Sequence, residues 1–339
     1  MYSPCKTMLK NLPLVVPADE LLDKAFRKAK KKVINDPKPF YKKKKTIIAR
    51  TESFATILVA TLDEYVQGFP SFNQLPLFYQ DLINIQISLD DIRKSLGAVN
   101  WAKQTCQRIL NSQIPMLKKS GEIDFIQSKQ KEIYGRISSV IKQINTNLVL
   151  LKEVTLLIKT FPSVDDRPTI VIAGYPNVGK SSLLRALSHA KPQIAQYPFT
   201  TKEIHVGHIK RKVRYDIQSY QIIDTPGLLD RADITRNKIE QQALAAVQHL
   251  ADIILFILDP SESCGYALAD QLQLLEHIQA TFSSATCIII ESKCDVFKSD
   301  SDHCKISCST QEGISELTDL LFSLYPQIEK NKINEEKTL

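Results

Sequence analysis

Gly174-Tyr175-Pro176-Asn177-Val178-Gly179-Lys180-Ser181-Ser182 has the form G-x-x-x-x-G-K-S, a spacing suited to holding phosphate. Glycine allows backbone angles that turn successive N–H groups inward, and a helix start behind the loop adds its positive end. Lys180 would neutralise β- and γ-phosphate charge, and the Ser181 hydroxyl would hold Mg²⁺. Gly174, Asn177, Val178, Gly179 and Ser182 are the other expected nucleotide contacts of this loop. A chance glycine-rich turn is the bland alternative, and the context opposes it. The β-branched run Thr169–Ala173 before the loop reads as a buried parallel strand, and residues 182–187 after it have helical apolar spacing.

More chemistry follows downstream. Asp224-Thr225-Pro226-Gly227 ends Tyr220–Ile223, which reads as a buried strand. An acid at the carboxyl end of a strand, facing the phosphate loop, suits a Mg²⁺ ligand through water, and Gly227 can bring its N–H against a γ-phosphate. The polar segment Pro198-Phe199-Thr200-Thr201-Lys202 lies between these motifs; Thr201 is expected to reach Mg²⁺ and the γ-phosphate only when that phosphate is present. Lys180, Thr201 and Gly227 are therefore the catalytic candidates, and Ser181, Thr201 and Asp224 the Mg²⁺ candidates.

After the run Cys287–Ile290 comes Ser292-Lys293-Cys294-Asp295. Asp295 can accept from guanine N1–H and the exocyclic amine, a donor pair that adenine lacks, while the Lys293 stem would cover the base. A backbone N–H near Ser307 and Cys308 could meet guanine O6. His205, His208 and His249 receive no catalytic part, because phosphoryl transfer asks little of a base. His303, Cys304 and Cys308 lack the second ligand pair of a zinc site.

Alternating strand and helix patterns from residue 167 predict an α/β fold with a doubly wound, mostly parallel sheet and its ligand at the strands' carboxyl ends. The first half predicts an all-α antiparallel bundle. Its expected helices run from an Asp19 N-cap to Lys32, through Ile47 to Leu62 with an end at Gly68, through Leu82, Ile85, Leu89 and Ile92, and from Glu132 to Thr160 as one long helix. The expected domains are 1–166 (basic, helical), 167–328 (nucleotide-binding) and a polar tail, 329–339.

At 339 residues the chain suits two domains, and 43% hydrophobic residues is ordinary for a globular protein. No apolar run approaches the ~20 residues of a membrane helix, and the start of the chain lacks a secretory signal. Seven cysteines without a C-x-x-C pair fit reduced thiols in the cytosol. The net charge of +7 is uneven: Lys24–Arg50 carries 12 basic residues against one acid, Asp36. Such a segment can be a solvated face, a nuclear address, a membrane-surface helix or a nucleic-acid contact. Phe40 and Tyr41 among the lysines favour a salt-sensitive, sequence-independent contact with polyphosphate, with Lys28, Lys31, Lys32, Lys42, Lys43, Lys44, Lys45 and Arg50 as the RNA-binding candidates. A membrane surface would want a broader apolar face opposite the lysines.

In order and separation, these elements are similar to the G motifs of translation-factor-type GTPases. More narrowly, residues 174–182, 198–202, 206–208 and 224–230 resemble the Nog family, nucleolar G-proteins related to Obg GTPases. Residues 236–240 and 261–266 are similar to signatures of that family, and Phe40-Tyr41 and Leu96–Lys103 carry the resemblance into the helical half. The resemblance implies GTP and GDP as ligands, GTP hydrolysis coupled to maturation of the large ribosomal subunit, and the helical domain against ribosomal RNA. It also implies a cytoplasmic protein (nucleolar if the source is eukaryotic), monomeric off the ribosome and without stable membrane association. The chain stops shortly after its last expected helix, as in the short archaeal form.

Two departures stand out. Ser292 occupies the place of a usual Asn, so a weaker brace to the phosphate loop is expected. Leu228 stands where Ras-like proteins keep a water-orienting Gln, a feature the family shares, and slow intrinsic turnover follows. Asn177 resembles an asparagine that binds K⁺ in related GTPases. A structural assembly placeholder, or a GTP-dependent regulator of a protein or membrane partner, stays open as an alternative.

Overall fold

Apolar residues at three- and four-residue spacing fold between residues 18 and 160 as α-helices, and the later strand–helix alternation folds as one sheet. The computed structural model describes residues 12–161, 164, 167–188, 192–196, 203–213, 216–230 and 244–338. The described residues form two compact units: one holds residues 12–75 together with Ile87–Lys159, the other Pro76–Gln86 with the described residues from Thr160 onward.

In the helical unit, α1 is Ala18–Lys30 and α2 is Pro39–Gly68, which packs against the later helices of its own unit. Pro39 opens α2 at a position where its missing N–H costs nothing. Phe54 is fully buried, with Phe26 stacked on it at 4.3 Å between centroids and Tyr134 edge-on at 4.7 Å. The Asp19 cap is a correction: α1 starts at Ala18, and its N–H is met by Asn145 Oδ1 at 3.0 Å from a distant helix. Asp19 and Glu20 instead sit in the first turn, where they complement the helix dipole.

The helix expected across Leu82–Ile92 is two. Leu77–Asn84 (α3) ends before Ser88, whose hydroxyl accepts from Asp90 N–H and starts α4, Leu89–Lys119. The long helix expected from Glu132 is also two, Ile123–Gln143 (α5) and Asn145–Thr160 (α6), which meet at Ile144. α3 belongs with the sheet unit, where the Tyr79 hydroxyl bonds Val164 on both its N–H and its carbonyl, and Asp81 lies 3.2 Å from His249.

The sheet unit has strands β1 Thr169–Ala173, β2 Gln193–Gln196, β3 Glu203–Val213, β4 Asp216–Asp224, β5 Ile253–Leu258, β6 Thr286–Glu291 and β7 Cys304–Lys305. Their order is β2-β3-β4-β1-β5-β6-β7. β4, β1, β5, β6 and β7 run parallel, and β2 and β3 are antiparallel additions beyond β4. β1 and β5 are buried on both faces, as continuous Ile/Val/Leu runs require. Helices α7 Lys180–Leu187, α8 Leu268–Thr281 and α9 Ile314–Thr338 cross over between or after the strands. Tyr325 and Ile328 prolong the buried stripe of α9, and the helix runs on to Thr338, so most of the expected polar tail, 329–339, is helical. Tyr220 is fully buried beneath α9, with its hydroxyl donating to Leu321 O at 2.9 Å. The parallel strands end at Ala173, Asp224, Leu258, Glu291 and Lys305, which puts the loops after them along one edge.

Truncating Phe54 removes a ring with no exposed surface from between two aromatic neighbours. Phe54→Ala should lower the stability of the helical unit by about 3–5 kcal/mol, read from denaturant unfolding followed by the fluorescence of Trp101, the chain's one tryptophan.

Candidate functional site

The phosphate loop leaves β1 at Gly174, whose φ of 139° and close packing both demand glycine; a Cβ there would lie 2.7 Å from Ile257 O. Gly179 (φ 104°) turns the chain into α7, and Asn177 (φ 62°) is exposed at the bend between them. Val178 is fully buried and pins the loop to the core. Lys180 is only 7% exposed, and its Nζ donates to Gly174 O and Tyr175 O, each at 2.7 Å. Burial pulls its pKa down, against the opposing charges of Asp230 and Asp224.

Ser181 Oγ donates to Asp224 Oδ2 at 2.6 Å. Asp224 has no exposed surface, and burial pushes its pKa up despite the Ser181 bond and the nearby Lys180 and His205. His205 faces it across the β3–β4 ladder, Nδ1 lying 3.7 Å from Oδ2. Asp224 Oδ1 and Thr225 Oγ1 are buried without a hydrogen-bond partner, an unusual cost in a native interior. A hydroxyl beside a carboxylate with an orphaned oxygen is a fitting donor set for a hard cation, so Ser181 and Asp224 are the residues that could hold Mg²⁺. Gly227 (φ 76°) donates its N–H to Asp230 Oδ2 at 2.8 Å, so its expected phosphate-facing donor is engaged by this chain's own carboxylate. Leu228 is buried and unable to orient water. Thr201 and the signature at 236–240 lie outside the described residues.

In the turn expected to face the base, Ser292 is buried, and both its hydroxyl (3.1 Å) and its N–H (2.8 Å) donate to Leu258 O. Its brace therefore goes to the end of β5. Lys293 has φ 59°, and its ammonium donates to Asp259 Oδ2 at 2.7 Å and to Ser263 Oγ at 2.9 Å. Asp295 is exposed, and hydrogen bonds from Ser307 and Ser309 hold its carboxyl below the usual range, leaving it an ionised acceptor. Ser307 is fully buried and gives its N–H to Glu312 O, so it stands behind Asp295. Cys308 is half-buried in the same turn.

Some contributors were not singled out from the sequence. Asp259, just past the end of β5, is a buried acceptor for Lys293; its signal in the sequence is an acid followed by Ser261 and Ser263. Tyr175 of the phosphate loop packs against Tyr266, ring centroids 4.4 Å apart. Glu291, buried at the end of β6, accepts from Ser299, Ser301 and His303. Burial raises its pKa, but those bonds together hold it below the usual value, and they anchor the loop that follows the guanine-type motif.

The basic face divides. Lys28, Lys31, Lys32, Lys42 and Lys43 are exposed, as is the edge-to-face pair Phe40–Tyr41 at 5.4 Å. Lys44, in contrast, donates to Lys118 O (2.8 Å) and Ser120 O (2.6 Å) at the end of α4. Lys45 pairs with Asp36 at 2.7 Å, and Arg50 Nε donates to Lys32 O at 3.0 Å. These three bind their own fold. No helix among the described residues is long and apolar enough to cross a membrane.

The sheet order, with its glycine loop rising from the central strand and its acids at the neighbouring strand ends, is that of a P-loop GTPase domain. A family model described as "50S ribosome-binding GTPase" matches residues 169–293, and one described as "NOG1 N-terminal helical domain" matches residues 9–165. An uncharacterised protein of Methanocaldococcus jannaschii is 36% identical over 286 residues, covering 83% of this chain and 79% of that protein. Nucleolar GTP-binding protein 1 of Kluyveromyces lactis is 31% identical over 299 residues, 85% of this chain and 45% of its own length. A crystal structure from Plasmodium falciparum, also described as a nucleolar GTP-binding protein 1, shares 31% identity over 52% of this chain and 96% of its own, with a TM-score of 0.45. The chain belongs to the Nog family of GTP-binding proteins. It spans about half the length of the nucleolar relatives it matches.

The buried acid leads to a pH test. A carboxyl whose folded pKa is raised stabilises the fold below its unfolded value and loses that contribution as pH rises through the folded value. Asp224→Asn should therefore raise the melting temperature of the nucleotide-free chain at pH 7, and the gain should shrink as pH falls toward the ordinary carboxyl value of 3.8. Thermal melts of both proteins across that range check it; equal melting temperatures at pH 7 would remove the burial cost.

Proposed function

We propose that the chain is a GTP-hydrolysing switch in maturation of the large ribosomal subunit, docking on ribosomal RNA through the exposed lysines of its helical unit. The observation that carries the GTP-dependent part is the Ser181–Asp224 pair with its orphaned carboxylate oxygen, set at the root of the phosphate loop. The RNA part is supported by the exposed lysines around Phe40 and Tyr41, and by relatives named nucleolar GTP-binding protein 1.

In this reading Gly174, Asn177, Val178, Gly179 and Ser182 shape the phosphate cradle, and Lys180 balances the charge that moves during transfer. Ser181 and Thr201 would hold Mg²⁺, which would neutralise phosphate charge, and Asp224 would contribute through water. Gly227 and Thr201 sense the γ-phosphate, and for Gly227 this means releasing its N–H from Asp230. Asp295 reads the guanine edge, with Lys293 across the base and the backbone near Cys308 at O6. Turnover is slow without an activator because Leu228 has no polar atom to place water. In the same reading Asn177 would add a K⁺ ligand, and equal hydrolysis rates in K⁺ and Na⁺ would discard that part. The protein works as a monomer off the particle, in the cytoplasm or, in a eukaryotic source, the nucleolus.

Co-sedimentation with large-subunit particles in a GTP analogue and in GDP tests the whole reading. Preferential pelleting with the analogue is the expected result, whereas indifference to the nucleotide favours an assembly placeholder. Lys42→Ala with Lys43→Ala should reduce the salt-dependence slope of binding by about two and leave GDP affinity unchanged; an unaltered slope removes these lysines from the interface. Asp295→Asn should lose GDP and gain xanthosine diphosphate, whose C2 carbonyl accepts the new amide N–H. No gain of xanthine nucleotide would detach Asp295 from base recognition.

A further inference from the structure

Asp259 has no exposed surface, yet its carboxylate is the meeting point of the turn that follows β5. Its Oδ2 accepts from the Lys293 ammonium at 2.7 Å, the Cys264 N–H at 2.8 Å and the Ser263 hydroxyl at 3.2 Å. Its Oδ1 accepts from the Ser261 N–H at 3.1 Å and from the Ser261 hydroxyl. Gln271 closes the turn from behind: Oε1 takes the Asp259 N–H at 2.8 Å, and Nε2 donates to Asp259 O at 3.1 Å and to Tyr266 O at 3.0 Å. At the far end of this turn the Tyr266 ring lies on Tyr175 of the phosphate loop.

A lysine at φ 59° occupies a region that side-chain-bearing residues seldom adopt, so something must hold Lys293 there. The buried carboxylate does this at the side chain, while its carbonyl accepts from Val296 N–H and Phe297 N–H at 2.8 and 3.2 Å. Ser292 beside it reaches Leu258 O and makes no link to the phosphate loop.

We propose that Asp259 is a positioning residue for guanine-nucleotide binding, fixing the Lys293 ammonium and tying the base-reading turn to the phosphate loop through Tyr266 and Tyr175. The connection that Ser292 does not make is thus carried by the 259–266 turn. Burial raises the Asp259 pKa, but the bonds from Lys293 and Ser261 outweigh it and hold the carboxyl below its usual value, so the ion pair persists at neutral pH. The proposal rests on the nucleotide-site reading above and deepens it.

The test uses the full chain. Fluorescent GDP and a non-hydrolysable GTP analogue are titrated into wild type, Asp259→Asn, Lys293→Ala and the double variant. Asp259→Asn should weaken both nucleotides by the same factor, about tenfold, the scale of one charge-assisted hydrogen bond. In the Lys293→Ala background it should cost nothing further, and in hydrolysis assays its effect should fall on KM more than on kcat. Wild-type affinity in Asp259→Asn, or a full loss that persists without Lys293, overturns the proposal. Should Asp259→Asn fail to fold, Ser263→Ala decides: its hydroxyl touches both partners, a drop of about threefold is expected, and no drop overturns the assignment. Failure of wild type to bind GDP would instead sink the nucleotide site itself.

Discussion

A carboxylate without solvent, 2.6 Å from a loop hydroxyl, governs the sheet unit. Asp224 is there because a parallel strand buried on both faces must end somewhere, and the side chain at that end is carried inside with it. Its burial costs stability, and the Ser181 bond and the Lys180 charge offset only part of that cost. The oxygen whose burial costs stability is the one Asp224 would offer to a cation.

The turn after β6 solves a different problem. Asp295 must stay ionised at an exposed turn, and Ser307 and Ser309 achieve that by hydrogen bonding rather than by opposite charge. Around it the loops are held by buried acids at consecutive strand ends, Asp259 after β5 and Glu291 on β6. In both, burial pushes the carboxyl's pKa up, and converging donors outweigh it and hold the group below its usual value. Loops built this way can be long and polar while their side chains stay in place.

The helical unit shows how a basic run separates into kinds. Positions on one stretch of sequence differ in whether a carbonyl or carboxylate lies within reach of the amine. Lys44 finds the carbonyls at the end of α4 and Lys45 finds Asp36, whereas Lys42 and Lys43 stay exposed. A long flexible stem permits either fate, and surrounding geometry chooses.

Much of this chain is settled by local rules. The glycine loop between a β-branched strand and a helix, the acid at a strand end and the Ser-Lys-Cys-Asp turn are short-range patterns, so fold class and phosphate site could be read directly. Helix breaks could not, because apolar spacing runs on through Ile85 and Ile144, while the break depends on Ser88 capping one helix and on Asn145 reaching back to Ala18. Nor could the partners of Lys44, Lys293 or Ser292, each of which is met by a group from another part of the chain. Residue type and spacing decide what a segment can do chemically; which hydrogen bonds it makes depends on groups brought near only when the chain has folded.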